Sequence, residues 1–323
     1  MKLLVTGGAG FIGSHLVEHL LARGNVVHCL DDFNDYYSPA IKYNNIKESE
    51  GHTGFTLYKG DILDTTLLET LFQQNSYDAV IHLAARAGVR PSIQQPGLYA
   101  QVNIQGTMNL LECCRKYQVG KFIYASSSSV YGANKKVPFS ENDFVDHPIS
   151  PYAATKKATE LITHTYHHLY GIQATGLRFF TVYGPRQRPD MAIHKFAQMI
   201  YRNQPIPVFG KGNSRRDYTY IDDIIQGILA SVECCNGYHI YNLGESSTIE
   251  LLDLIELLQK AMGKKAKLDF QPEQPGDVPI TYADITLARK DLNYDPQTLV
   301  KAGIEKFVEW FYANVHHLVP DKK

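Results

Sequence analysis

A tyrosine and a lysine stand four residues apart in Tyr152-Ala153-Ala154-Thr155-Lys156, downstream of the run Ser126-Ser127-Ser128-Ser129. A helix is expected from Ser150 to Tyr170, and residues four apart on a helix share one face. A free tyrosine has a pKa near ~10, too high for a base at neutral pH. A neighbouring ammonium and a positively charged cofactor ring both favour the phenolate. Such a phenolate can take a proton from a hydroxyl. Tyr-x-x-x-Lys alone is a common accident. The serine run supplies context, because it follows an apolar strand and sets four hydroxyls at that strand's C-terminal end.

The second group of chemically suggestive residues is Thr6-Gly7-Gly8-Ala9-Gly10-Phe11-Ile12-Gly13. Glycines at this spacing permit a tight turn and close approach of backbone to a pyrophosphate, and the helix that follows offers free N–H groups and a positive dipole end. A glycine triplet is weak evidence without a strand before it and a helix after it. Both are expected here, from Leu3–Thr6 and from Ile12, Leu16 and Leu20. The next strand ends at Leu30-Asp31-Asp32. A carboxylate there accepts hydrogen bonds from adenosine ribose hydroxyls and repels a 2′-phosphate, which points to NAD rather than NADP. Asp31 has the right position, whereas Asp32 reads equally well as a solvated loop carboxylate. Asp61, in Gly60-Asp61-Ile62 after the third strand, is placed to hold the adenine amino group.

These residues need a scaffold, and the first half of the chain supplies one. Leu3–Thr6, Val26–Leu30, Phe55–Tyr58, Ala79–Leu83, Lys121–Ser126 and Gln173–Phe179 read as strands, mostly separated by helical spacing such as Leu67, Leu68, Leu71 or Leu98, Val102, Met108, Leu111. Alternating strands and helices predict an α/β fold, a Rossmann-type doubly wound parallel sheet with ligands beyond the C-terminal strand ends. After Gly184-Pro185 the pattern changes. Met191–Arg202 reads as a helix, Ile206–Phe209 and Arg216–Tyr220 as strands, Asp222–Cys235 as a helix and Tyr238–Leu243 as a strand. Ser247-Thr248-Ile249-Glu250 fits a capping box opening a helix to about Met262. Gln271–Pro279 reads as a loop, and a last helix covers roughly Ile304–Val315. The expected division is a cofactor-binding domain of residues 1–185 plus about 221–245, and a smaller α/β substrate domain of 186–220 and 246–323.

Composition narrows the partners. The 323 residues are 44% apolar and 20% charged with a net charge of −1, unlike the basic face of a nucleic-acid binder. Lys264-Lys265-Ala266-Lys267 reads as a solvated helix end. Cys29, Cys113, Cys114, Cys234 and Cys235 have no zinc spacing and are expected as free buried thiols in a reducing compartment. His164, His167 and His168 have helical spacing but no partner ligand, so a solvated or interface face is expected and no metal. Met1-Lys2 runs directly into Leu3-Leu4-Val5, which leaves no room for a secretory signal, and no apolar run approaches the ~18 residues of a membrane span. A cytoplasmic protein without membrane or nucleic-acid partners is expected.

From Lys2 to about Asp284 the chain resembles an extended short-chain dehydrogenase/reductase of the nucleotide-sugar epimerase/dehydratase family. The likeness is carried by the glycine turn, Asp61-Ile62, His82-Leu83-Ala84-Ala85, Asn103-Ile104-Gln105-Gly106-Thr107, Ala125 to Gly132, Tyr152 with Lys156, Arg178-Phe179-Phe180-Thr181 and Arg216-Asp217-Tyr218. It implies that Leu83, Ala84, Ala85, Asn103 and Phe179 line an NAD site together with Gly7, Gly10, Phe11, Ile12, Gly13, Asp31, Asn34, Asp61, Ile62, Ser126 and Val182. It further implies that Ser127 hydrogen-bonds the reacting hydroxyl beside Tyr152, and that Lys156 also binds the nicotinamide ribose. Family members pair through the helices matching Leu98–Tyr117 and Ser150–Tyr170, which implies a homodimer.

The reaction is suggested by an absence. Sugar dehydratases of this family carry Asp-Glu where this chain has Ser128-Ser129, and decarboxylases acting on UDP-glucuronate carry Glu at the Ser129 position. Those carboxyl groups serve later proton transfers. Without them, oxidation followed by re-reduction remains, with NAD returned unchanged. Ala87 to Ser92, Arg178 to Ala192 and Gln274 to Pro279 resemble UDP-glucuronate 4-epimerases, whereas UDP-glucose 4-epimerases usually carry Asn at the Thr181 position and Arg at the Gln274 position. The resemblance assigns Arg90 and Arg216 to the diphosphate, Val208 and Phe209 to the uracil, and Asp277 to the ribose. An acidic sugar suits the hydroxyls of Thr181, Ser127, Ser128 and Ser129 as carboxylate ligands, with Arg188 as counter-charge; a surface-loop arginine is the alternative for Arg188. The expected function is C4 epimerisation of UDP-glucuronate to UDP-galacturonate through a 4-keto intermediate. UDP-glucose 4-epimerisation, UDP-glucuronate decarboxylation and NAD binding without turnover stay open as alternatives.

Overall fold

The structure, a computed structural model, describes residues 1–273 and 278–318. Six strands of the first half are β1 (Lys2–Thr6), β2 (Val26–Asp31), β3 (Phe55–Lys59), β4 (Ala79–His82), β5 (Lys121–Ser127) and β6 (Gln173–Phe179). With Tyr238–Leu243 they form one sheet in the order Tyr238–Leu243, β6, β5, β4, β1, β2, β3. Every pairing is parallel. The order reverses between β1 and β4, and ligands bind at such a switch point.

The central strands β1, β4, β5 and β6 are largely buried on both faces because helices cover both, whereas the edge strand β3 is not. Successive side chains alternate. Leu3 and Val5 therefore enter one buried cluster with Ile81, Ile123 and Leu177, while Leu4 enters another with Val80, Phe122 and Ala174. The first cluster continues without a break into the second half of the chain, through Ile193, Phe196, Ile206, Val208, Leu254, Phe307 and Phe311. That half carries helices Ala192–Tyr201, Leu251–Met262 and Val300–Ala313 and a parallel pair, Pro205–Phe209 with Lys267–Gln271.

Two local expectations give way to longer-range ties. The run Arg216–Tyr220 is not one strand but two, Arg215–Arg216 and Tyr218–Tyr220. Asp217 breaks it, because its buried carboxylate accepts hydrogen bonds from the backbone N–H groups of Glu245, Ser246 and Ala283 and from the Thr219 hydroxyl. The capping box before Met262 does not form. Ile249–Glu250 pairs antiparallel with Arg215–Arg216, and the Thr248 hydroxyl accepts from Arg215 Nε at 3.0 Å. The lysine cluster does follow a helix end: the helix stops at Met262, Gly263 takes φ 62°, Lys264 N–H closes the last turn on Gln259 O at 3.2 Å, and Lys267 opens a strand. Among the thiols Cys234 is exposed and the other four are buried.

Helix Pro151–Tyr170 is capped by Ser150, whose side chain accepts from the Ala153 N–H, and its first residue is proline. Proline at this position removes a donor that would have no partner. From this helix Glu160 reaches under the sheet to Arg178 on β6. Both side chains are almost fully buried, and the fork is bidentate at 2.8 and 2.9 Å. Burial alone would raise the Glu160 carboxyl, but the hydrogen bonds and charge of Arg178, with Ser126 and Lys157, hold it below the usual carboxylate range. Removing one partner strands the other's charge in the core. Glu160→Ala is expected to lose about 3–5 kcal/mol of stability in urea unfolding. A loss below about 1 kcal/mol, the size of a solvated surface pair, would show that Arg178 is not held this way.

Candidate active site

The loops after β1, β2, β4, β5 and β6 meet in one cleft of about 530 Å³. Its floor is the glycine turn. Gly7 adopts φ +71°, and a Cβ there would stand 2.7 Å from Ala84 N. A Cβ on Gly13 would stand 2.1 Å from Gly7 O and 2.7 Å from Gly8 Cα. Helix α1 (Phe11–Ala22) starts here with no side-chain cap, so its first N–H groups face the cleft for an anion to satisfy.

At the end of β2 the buried Asp31 accepts from Ala9 N–H at 3.2 Å, Phe33 N–H at 2.9 Å and Lys42 Nζ at 3.1 Å. Lys42 is itself buried and lies 3.6 Å from Asp32. Asp32 binds the backbone and side-chain N–H groups of Asn34, at 3.1 and 2.6 Å. Asn34 in turn accepts from Arg86 Nη1 at 3.3 Å. Asp31 and Asp32 set two carboxylates at this rim, where they suit ribose hydroxyls and disfavour a 2′-phosphate. Asp61 and Ile62 line the far side. A capless helix end over a glycine turn, a ribose-facing carboxylate and an apolar wall fit NAD.

Behind the cleft runs a buried polar chain. The Thr6 hydroxyl meets His82 Nδ1 at 2.8 Å, and His82 Nε2 meets the Thr107 hydroxyl at 3.0 Å. Burial, with the nearby Lys156 charge, pushes His82 down to about 3, so the ring is neutral. Asn103 departs from its expected place in the cleft wall. It is buried on the π-helical segment Ala100–Gln105 and clamps the backbone of Arg86 by two hydrogen bonds, at 2.8 and 3.0 Å. It holds the loop of Leu83, Ala84 and Ala85, which does line the cleft.

Lys156 and Tyr152 project from helix Pro151–Tyr170 into the same cleft. Lys156 Nζ donates to Ala125 O at 2.7 Å, and burial pushes the ammonium down to about 8 while Glu160 opposes. Burial also raises Tyr152; the hydrogen bond with Ser127 and the charge of Arg188 act against that rise. The cation that opposes the effect of burial on Tyr152 is Arg188, and Lys156 Nζ is bound to Ala125 O. Ser127 ends β5, and Ser128–Tyr131 form a single 3-10 turn beyond it. Ser126 donates to Glu160 at 2.7 Å, and Arg178 Nη1 donates to the Tyr131 hydroxyl at 3.0 Å, so the buried ion pair grips both ends of the serine turn.

Ser128, Ser129, Thr181, Val182, Phe179 and Arg188 complete the cleft. Arg188 is no loose surface arginine. Its fork grips Asp190 at 3.0 and 2.8 Å and its guanidinium lies over the Tyr36 ring at 5.4 Å. Asp190 and Tyr36 were not anticipated. Five expected substrate residues, Arg90, Val208, Phe209, Arg216 and Asp277, lie away from the catalytic cleft or outside the described residues. Arg90 lies over the Phe209 ring at 5.3 Å, Val208 is wholly core, Arg216 donates to Arg215 O at 2.9 Å, and Asp277, like Gln274, falls outside the described residues.

The glycine turn yields a direct test. Gly13→Ala forces a methyl group against backbone, a misfit costing about 1–3 kcal/mol. The variant is expected to bind NAD about 10–100-fold more weakly by calorimetry with its circular dichroism unchanged. Unaltered NAD affinity would remove the turn as the dinucleotide site.

Residues 4–307 match the family model described as GDP-mannose 4,6 dehydratase. The UDP-glucuronate 4-epimerase of Thermodesulfobacterium geofontis (strain OPF15) is 46% identical over 313 residues, which is 97% of this chain and 96% of that protein. The crystal structure of the UDP-glucuronic acid 4-epimerase from Bacillus cereus, in complex with UDP-glucuronic acid and NAD, superposes with a TM-score of 0.91 at 39% identity, covering 97% of this chain and 99% of that one. The UDP-glucose 4-epimerase from Thermotoga maritima, solved with UDP-glucose, is similarly shaped, with a TM-score of 0.90, but 33% identical, over 98% of this chain and 100% of that one. With that match and a cleft built as described, this chain belongs to the GDP-mannose 4,6-dehydratase family of nucleotide-sugar epimerases and dehydratases within the short-chain dehydrogenase/reductases.

Proposed function

We propose that the protein interconverts UDP-glucuronate and UDP-galacturonate by inverting C4. The observation that carries this reading is a cleft in which Tyr152 and Ser127 meet beside a dinucleotide turn while positions 128 and 129 hold only hydroxyls. Similarity to UDP-glucuronate 4-epimerases over nearly the whole chain supports the choice of sugar.

NAD, when bound, supplies a hydride acceptor that takes the C4 hydrogen and gives it back. The protein does the rest. Tyr152, as phenolate, takes the O4 proton, and Ser127 stabilises the oxygen it leaves. Lys156 keeps positive charge near the cofactor ribose. The oxidised sugar is a β-keto acid, which loses CO2 readily once the bond to the carboxylate aligns with the ketone. Thr181, Ser128 and Ser129 hold that carboxylate with Arg188, and positions 128 and 129 offer hydroxyls where an acid would be needed to protonate a decarboxylated enolate. The sugar turns about its diphosphate link, accepts hydride on its other face, and recovers the O4 proton from Tyr152.

Residues 1–185 with about 221–245 form the NAD lobe in this reading, and 186–220 with 246–323 form the sugar lobe, where Phe209, backed by the core residue Val208, Arg216 and Asp277 serve the uridine diphosphate together with Arg90 of the NAD lobe, which lies over the Phe209 ring. We further propose a cytoplasmic homodimer. Its interface is the helix Pro151–Tyr170, whose Leu161 and Leu169 are 56% and 64% exposed.

Incubation with UDP-glucuronate is expected to yield UDP-galacturonate, with little UDP-pentose, by NMR. Tyr152→Phe is expected to lower kcat by about 100-fold or more, the loss of a general base. A pentose as main product would overturn the reading of Ser128 and Ser129. UDP-glucose turnover without UDP-glucuronate turnover would overturn the sugar.

A further inference from the structure

The segment from Gly184 to Met191 carries Arg188 into the cleft, and its backbone is tied on both sides of that residue. Pro185 O meets His15 Nε2 at 3.0 Å, and Arg186 Nη2 stands 2.7 Å from Glu18 Oε1, so helix α1 holds the start of the segment. Gln187 is buried. Its side-chain nitrogen donates to Val182 O at 3.0 Å, and its side-chain oxygen accepts from the His194 N–H at 3.1 Å. The Met191 N–H closes a turn on Arg188 O at 3.1 Å. With the backbone fixed, only the side chain of Arg188 is left to turn.

Asp190 settles where it turns. A guanidinium has five N–H donors in one plane, which make a side edge and an end edge. Asp190 takes the side edge, with Nε at 3.0 Å from Oδ1 and Nη2 at 2.8 Å from Oδ2. The end edge keeps Nη1 and the second hydrogen of Nη2 for another acceptor. The Tyr36 ring lies against the guanidinium at 5.4 Å, and the Tyr36 hydroxyl donates to Asp190 Oδ2 at 3.4 Å. Arg188, Asp190 and Tyr36 line the same cleft as Thr181 and Ser128.

We propose that Asp190 is a positioning residue for sugar recognition: by occupying the side edge of Arg188, it presents the end edge to the C6 carboxylate of the sugar. One arginine then bridges two carboxylates, one from the protein and one from the substrate. A two-bond fork fixes the plane of a carboxylate as well as its place. That place decides how the bond to the carboxylate lies against the C4 ketone, so the orientation set by Asp190 also opposes loss of CO2. Charge alone makes the opposite forecast. Asp190 is an anion beside the place of an anionic sugar, and if it acted only by its charge, its removal would tighten binding of the acid.

This role rests on the reading of Arg188 as counter-charge to the sugar, and the test keeps the two apart. UDP-glucuronate and UDP-glucose are titrated calorimetrically into NAD-loaded protein, with turnover suppressed by Tyr152→Phe. In Asp190→Ala the affinity for UDP-glucuronate is expected to fall about 10-fold, the worth of one hydrogen bond to a charged group, with UDP-glucose unaltered. Asp190→Asn, which keeps one acceptor oxygen for the fork, is expected to fall between. With Tyr152 in place, Asp190→Ala should release a larger share of UDP-pentose. Tighter binding of UDP-glucuronate, or an equal loss for both sugars, would overturn the proposal. So would a preference for the acid that Asp190→Ala keeps and Arg188→Ala loses, and that outcome leaves the reading of Arg188 standing. A preference that survives in Arg188→Ala rejects that reading and the proposal with it. If Asp190→Ala fails to fold, Asp190→Asn must still weaken UDP-glucuronate selectively, and an unchanged affinity there would overturn the proposal too.

Discussion

The buried pair between Arg178 on β6 and Glu160 on helix Pro151–Tyr170 holds together the parts that do chemistry. Glu160 also takes the Ser126 hydroxyl, and Arg178 also reaches Tyr131, so the turn that carries Ser127 is tied at both ends to the helix that carries Tyr152 and Lys156. Tyr131 continues the chain by donating to Asn242 Oδ1 at 2.6 Å, and Asn242 binds the carbonyls of Phe139 and Asp284. A charge pair this deep gains little over an apolar pair in stability. Its use is geometric. It fixes the spacing between a strand end and a helix face to within a hydrogen-bond length, which proton transfer needs.

Around that fixed centre the charges are arranged in pairs. Asp31 faces Lys42, Arg188 faces Asp190, and Lys156 keeps its ammonium on a carbonyl while burial draws it down to about 8. The cleft, lined by Asp31, Asp32, Asp61 and Asp190 and by Lys42, Arg86, Lys156 and Arg188, thus has no strong net field of its own. Burial raises the Tyr152 phenol, and the hydrogen bond with Ser127 and the charge of Arg188 oppose that rise.

Much of this was legible in sequence because it depends on local pattern. The six strands of the first half fall within one or two residues of their apolar runs, since strands buried on both faces, as all but β3 largely are, leave an unmistakable stretch of apolar residues. The glycine turn and the serine run meet because they sit at the C-terminal strand ends, where a doubly wound sheet puts its ligands, and helix Pro151–Tyr170 brings Tyr152 and Lys156 to the same cleft. What could not be read depends on partners far along the chain. Lys42 lies on helix Pro39–Ile46, whose polar composition gives no helical stripe. Asp217 breaks a plausible strand through contacts with residues 28 and more positions away. Asn103 looked like a wall residue and is a clamp behind the wall, turned inward by a π-helical segment that no periodicity announces. Asp190 was visible only as part of a loop, although it decides that Arg188 is ordered.

The central claim is that one carbon is oxidised and then reduced in place. UDP-glucuronate deuterated at C4 tests it in ordinary water. The account predicts UDP-galacturonate with the deuterium retained at C4, and a slowed rate from the heavier hydride. Loss of the label to solvent, or inversion with solvent hydrogen entering at C5, would contradict it.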